Sequence, residues 1–222
     1  GFLLMVEGAR IDMALHWANA HRSFQELAEM DEAVKVAVAK TDPEETLILV
    51  TADHSHTMTI QGYPERGAPI LGVAERSAAT GIPYTTLFFA NGASWKYYVD
   101  GKDVKWEDPS LVDTQAVDYK QMVGIFRDTD DSETHGGEDV AIYALGTWAH
   151  LLTGVHEQPY VYHAVLYALG LGPYAGVHQG QGRGGQQGQE VEKASTRTDT
   201  TLTTVLTTVV LGALPAGLFL FR

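Results

Sequence analysis

Six side chains of metal-binding type stand where strand-like runs end or helix-like runs begin. Glu7 follows the apolar run 1–6. Asp12 and His16 are four residues apart, which on a helix puts both on one face. Asp53 and His54 follow a second apolar run, 46–50. His135 lies in Glu133-Thr134-His135-Gly136-Gly137-Glu138-Asp139, just ahead of a third run, 140–144. The chain has nine histidines and no cysteine, so a transition-metal site must use His, Asp and Glu. Mixed imidazoles and carboxylates suit Zn²⁺, and a Glu with few such neighbours suits Mg²⁺. Each piece alone has a plainer reading: a chance i,i+4 pair, a turn or cap for Asp-His, and for Glu7 an acid favoured by a helix N-terminus. Taken together they favour a metal centre, because ligands of parallel sheets bind beyond the carboxyl ends of the strands.

The elements that must position these groups follow from periodicity. Apolar residues at 14, 15, 18, 24, 27, 28, 34 and 38 recur at helical steps and predict a helix over 12–39. Run 1–6 predicts a buried strand, expected to belong to a core that starts upstream; a short edge strand is the alternative. Thr41-Asp42-Pro43 turns the chain into the strand 46–50. Strand, helix, strand is the βαβ order of a parallel sheet covered by helices. From 62 to 131 Gly, Pro and aromatics interleave, and short strands are expected at 85–89 and 96–99. A strand at 140–144 and a helix at 158–169 restore the first texture. Residues 172–189 are Gly- and Gln-rich and read as a linker. Hydrophobic residues make up 45% of 222, enough for a real core. Asp plus Glu number 28 against 15 Lys plus Arg, a net charge of −13 that argues against nucleic acid as a partner.

The C-terminal stretch 205–221 is strongly apolar, and Arg222 alone follows it. Small residues at Ala194-Ser195-Thr196 and a polar spacer at 197–204 precede it. That layout matches a signal for a glycosylphosphatidylinositol anchor, with Ser195 or Ala194 as the attachment residue. A single transmembrane span and a C-terminal core helix are the alternatives; the tail is at the short end of spanning length.

Gly1-Phe2-Leu3-Leu4-Met5-Val6-Glu7-Gly8-Ala9-Arg10-Ile11-Asp12 with His16, then Thr51-Ala52-Asp53-His54-Ser55-His56, then Thr134-His135-Gly136-Gly137-Glu138-Asp139-Val140 resemble the alkaline phosphatase family. The resemblance runs from residue 1 to about 176 and is strongest to animal membrane-bound forms, insect ones included. It implies an α/β fold with a central sheet flanked by helices and an inserted β-rich crown subdomain, incomplete at the N-terminus. Residues 1–61 would be part of the metal-binding core, 62–131 the crown, 132–171 the return to the core, 172–204 a flexible linker and 205–222 the anchor signal. Glu7 would hold Mg²⁺. Asp12, His16 and His135 would hold one Zn²⁺, and Asp53 and His54 the second, giving two Zn²⁺ and one Mg²⁺ per full-length subunit. Tyr63 matches a tyrosine that reaches the partner subunit's active site, which implies a homodimer.

The implied reaction is hydrolysis of phosphate monoesters through a phosphoserine. The nucleophilic Ser, a phosphate-clamping Arg and further metal ligands are expected upstream, so no catalytic residue is assigned in this chain. Ser55 is read as orienting its loop. His56 is placed near the phosphate; His21, His150, His156, His163 and His178 are read as surface or helix residues. The chain departs from vertebrate forms in lacking the crown and C-terminal cysteines, and it has no Asn-x-Ser/Thr sequon. The implied location is the extracellular face of the cell membrane. A membrane-anchored surface binding protein of the same fold, without turnover, is the alternative function.

Overall fold

The computed structural model describes residues 2–92, 97–126 and 132–178, together with two strands of the C-terminal tail. The first run forms β1 (Leu3–Val6). The single helix expected over 12–39 is two helices, α1 (Ala9–His16) and α2 (Ala20–Lys40). Local chemistry makes the break. Ala18 takes a left-handed backbone with φ of 51°. Asn19 then caps α2 by accepting from the Arg22 N–H at 2.9 Å. Its side-chain amide donates to Val117 O, and the Gln121 N–H donates to Ala18 O. The end of α1, where His16 stands, is thereby tied to a distant loop.

The strand β2 (Leu47–Thr51) is the spine of the core. Its side chains alternate between two apolar clusters, as the period of a strand requires. Ile48 packs with Ile11 and Leu15 of α1, Met30 of α2, and Phe89, Met122 and Val123. Leu47 and Leu49 pack on the other side with Leu152 and Ala164.

After β2 come β3 (Ser55–His56), β4 (Met58–Ile60), β5 (Val73–Arg76), β6 (Pro83–Thr85), β7 (Leu87–Gly92), β8 (Tyr97–Asp100), β9 (Asp103–Trp106) and β10 (Met122–Phe126). Segment 62–131 is strand-rich, and no α-helix occurs among its described residues. Its strands β7 and β10 join the core: β7 pairs with β4 antiparallel and with β10 in parallel. The chain closes with β11 (His135–Gly136), β12 (Ile142–Gly146) and α3 (Pro159–Leu169).

Two pairings differ from the expected βαβ order. The partner of β2 is β12, antiparallel, with Leu49 opposite Ala144. The partners of β1 are β13 (Leu206–Val209), parallel, and β14 (Leu218–Phe221), antiparallel. Expected as an anchor signal outside the fold, the apolar tail thus lends two strands to β1. A strand with open backbone groups pairs readily with a segment of strand-forming residues. The expected burial of β1 is also corrected, since its side chains are exposed, from 39% at Val6 to 53% at Leu3 and Met5. Hydrogen bonding to two strands satisfies its edges and leaves its faces open. No helix of the described residues is long and apolar enough to cross a membrane. Ser195, Ala194 and most of the expected linker lie outside the described residues.

Candidate metal centre

Three segments converge beyond the end of β2. The helix α1 starts one residue after Gly8, so Asp12 and His16 stack on one face, with Asp12 Oδ1 3.4 Å from His16 Nε2. The loop after β2 carries Asp53 and His54. The short antiparallel pair β3–β11 brings His135 opposite His56. Gly136 makes this pair possible, because a Cβ there would collide with Ser55 Oγ and Glu138 Oε2.

Asp12, His16 and His135, expected as one ligand set, lie side by side. His135 Nε2 lies 3.1 Å from His16 Nε2 and 3.4 Å from Asp12 Oδ1. Three donor atoms at mutual distances of 3.1, 3.4 and 3.4 Å form a nearly regular triangle. A tetrahedral zinc with bonds of about 2.0–2.2 Å needs ligand atoms roughly 3.3–3.5 Å apart. The triangle is close to that face, with His56 Nε2 a further 3.0 Å from Asp12 Oδ1.

The imidazoles are set for ligation. His16 Nδ1–H donates to Glu133 O at 2.6 Å, which turns the Nε2 lone pair towards Asp12 and His135. Loss of hydration, then the neighbouring His54, His56 and His16, lowers the His135 pKa, while Asp12 pulls the other way. A neutral ring is the form that binds a metal.

Asp53 and His54 form the second pair, with Oδ2 3.2 Å from Nε2. The His54 ring stacks on His135, centroids 3.5 Å apart. His54 is thereby brought beside Asp12 and His135. Among the described residues, the ligand-type groups close enough to share an ion are Asp12, His54, His56 and His135, and His16, His56 and Glu133; Asp53 and the exposed Glu7 are in neither. Tyr63 is 92% exposed, its N–H held by Glu75.

Two residues play parts that the sequence reading did not give them. His56 was expected near the phosphate. It is instead buried behind Asp12, with Nδ1 donating to Glu133 Oε2 at 2.5 Å and Nε2 3.0 Å from Asp12 Oδ1. Glu133 is fully buried and was not singled out. The signal was its position two residues before His135, which in an extended segment places both on one face. Ser55 Oγ donates to Glu138 Oε2 at 2.7 Å, the loop-orienting role expected of it. Of the remaining histidines, His21 and His156 meet main-chain carbonyls, and none joins a ligand cluster among the described residues.

Comparison with known proteins places this arrangement. The family model for alkaline phosphatase matches residues 1–171. The chain belongs to the alkaline phosphatase family. It is 44% identical over 175 residues to the tissue-nonspecific isozyme of Gallus gallus, covering 78% of this chain and 32% of that protein. The human tissue-nonspecific isozyme is 43% identical over 178 residues, covering 79% and 32%. Alkaline phosphatase 4 of Drosophila melanogaster is 41% identical over 185 residues, covering 78% and 30%. The chain thus spans about a third of the length of these relatives. The mixed helix and strand content accords with family membership, and the His, Asp and Glu groups are candidate ligands for metal ions of the kind the family uses.

Proposed function

We propose that this chain is the C-terminal portion of a zinc- and magnesium-dependent phosphomonoesterase. The observation that carries the reading is the triangle of Asp12 Oδ1, His16 Nε2 and His135 Nε2, with edges of 3.1–3.4 Å. Asp12, His16 and His135 would hold one Zn²⁺, Asp53 and His54 would hold the second, and Glu7 would contribute to Mg²⁺. Bound zinc ions supply Lewis acidity that stabilises the attacking and leaving oxygens of an in-line phosphoryl displacement.

The chain's own residues do the positioning. Glu133 O fixes the tautomer of His16. Stacking keeps His54 beside His135, and the Ser55–Glu138 bond holds the loop that carries Asp53 and His54. The serine that takes up phosphate, the arginine that orients it and the carboxylate shared between metals are supplied by residues outside this chain. The exposed Tyr63 serves the partner subunit's site in a homodimer. The tail layout supports a lipid anchor at Ser195, with Ala194 next, on the extracellular face of the cell membrane.

The test is metal content in the full-length protein. The intact protein should hold two zinc and one magnesium per chain. H16A or H135A should empty one zinc position and leave the other filled. D53A should weaken the second. Unchanged zinc in all three variants, measured by elemental analysis, overturns the assignment.

A further inference from the structure

We propose that Glu133 is the positioning residue of the metal centre, a buried carboxylate that holds the three ligand-bearing segments in one geometry. The inference rests on the zinc reading above.

Its side chain is fully enclosed. A buried carboxylate persists only when donors compensate the lost hydration. Glu133 collects three. Oε1 accepts from the Thr57 N–H at 2.6 Å and from Thr57 Oγ1 at 2.5 Å. Oε2 accepts from His56 Nδ1 at 2.5 Å. All three come from residues 56 and 57, just after Asp53 and His54. Through His56 the carboxylate also reaches Asp12, because His56 Nε2 is 3.0 Å from Asp12 Oδ1.

The main chain of the same residue grips α1. The Glu133 N–H donates to His16 O at 2.7 Å, and Glu133 O accepts from His16 Nδ1 at 2.6 Å. His135 follows two residues later. One residue therefore touches the segments that carry Asp12 and His16, Asp53 and His54, and His135.

Glu133 is itself held. Asn91 pairs twice with Thr134, donating from Nδ2 to Thr134 Oγ1 and accepting from the Thr134 N–H. Gly92 leaves room alongside, since a Cβ there would press on Val123 and touch the Glu133 Cβ. Glu133 lies within ligand distance of His16 and His56. Both its oxygens are nevertheless engaged by protein donors, which marks it as a support for ligands and not a ligand.

Gln in place of Glu133 has nearly the same shape but one acceptor oxygen. With His56 donating from Nδ1, that oxygen can serve Thr57 or His56, not both, and the alternative is a change of His56 tautomer, which alters its contact with Asp12. In the full-length protein, E133Q should bind zinc about 10–100-fold more weakly, the usual cost of losing a group that orients a ligand. The loss should fall first on the position held by Asp12, His16 and His135. Stepwise competition with a chelator reads both zinc positions without using activity. Zinc affinity equal to wild type, with the melting temperature lowered equally in metal-free and zinc-loaded protein, would make Glu133 merely structural and overturn the proposal. If E133Q does not fold, T57V decides. It removes one contact to Oε1, so several-fold weaker zinc supports the proposal and unchanged affinity overturns it. Wild-type protein that binds no zinc sinks the metal reading, and this inference with it. Zinc held equally by wild type and E133Q sinks this inference alone.

Discussion

Ser55 and Glu138 show how a single bond can steady the loop beside the ligands. The Ser55 hydroxyl, aided by the Glu138 and Gly137 backbone N–H groups, holds the Glu138 carboxyl below the ordinary carboxylate range. A depressed carboxylate pKa contributes stability above its unfolded value, and that stability disappears as pH falls through the lowered folded value. In S55A the Glu138 titration should move upward towards the ordinary range. Carbon-13 NMR of the Glu138 side chain reads this directly, and an unmoved titration would mean the hydroxyl is not the cause. At this scale the clustering of Asp12, His16, His54 and His135 was legible, since each was marked by type and by place at the ends of apolar runs. Glu133 and His56 were not, because their work is done by burial and by partners far along the chain. Nothing in a sequence states that position 133 will meet position 56.

Among elements, the pair β3–β11 is the shortest and carries the most consequence. It consists of two residues on each side, with His135 opposite His56 and Gly136 opposite Ser55. The chains approach so closely that a Cβ on Gly136 would meet Ser55 Oγ, Glu138 Oε2 and His56 O. Gly136→Ala should therefore open the pair and swing His135 away from His16. We expect about 1–3 kcal/mol of destabilisation, the range for overpacking a tight site. Zinc should also be lost from the His135 position. Thermal unfolding and zinc analysis check both, and a variant that keeps its zinc would show that the pair does not set the His135 position. The longer elements were readable from periodicity: the second run, expected at 46–50, is β2 at Leu47–Thr51, and the helix expected at 158–169 is α3 at Pro159–Leu169. The helical break at Ala18 was masked by apolar spacing that continues across it, although Asn19 is a favoured N-cap residue. Its cap works here because Val117 and Gln121 arrive from a distant loop to complete it. The antiparallel pairing of β2 with β12 was likewise invisible, since strand order along the chain does not fix partners across ninety residues.

At the scale of the whole molecule, the faces of β1 decide what the isolated chain can do. Phe2, Leu3, Leu4 and Met5 are each about half exposed. An apolar strand with open faces is a site for association with other chains. The chain spans about a third of the length of its relatives. The same reasoning bears on catalysis. Two serine hydroxyls lie beside the candidate ligands, and both are engaged: Ser132 donates to Glu133 O next to His16, and Ser55 donates to Glu138. Ser55 is the only serine beside a ligand of the second pair, and its hydroxyl is spent on Glu138. Purified residues 1–222 should therefore be poorly soluble and should not hydrolyse p-nitrophenyl phosphate in the presence of Zn²⁺ and Mg²⁺. Supplying the remaining part of the protein should restore turnover where the two parts can still pair. On cells, the full-length protein should be released by phosphatidylinositol-specific phospholipase, and mature protein should lack Arg222 by mass spectrometry. Retention on the membrane with Arg222 present would replace the lipid anchor by a spanning one. For catalysis the decisive result is turnover by the isolated chain. Zinc-dependent hydrolysis abolished by S55A would place the nucleophile at Ser55, free its hydroxyl from Glu138 during reaction, and make these residues a complete enzyme.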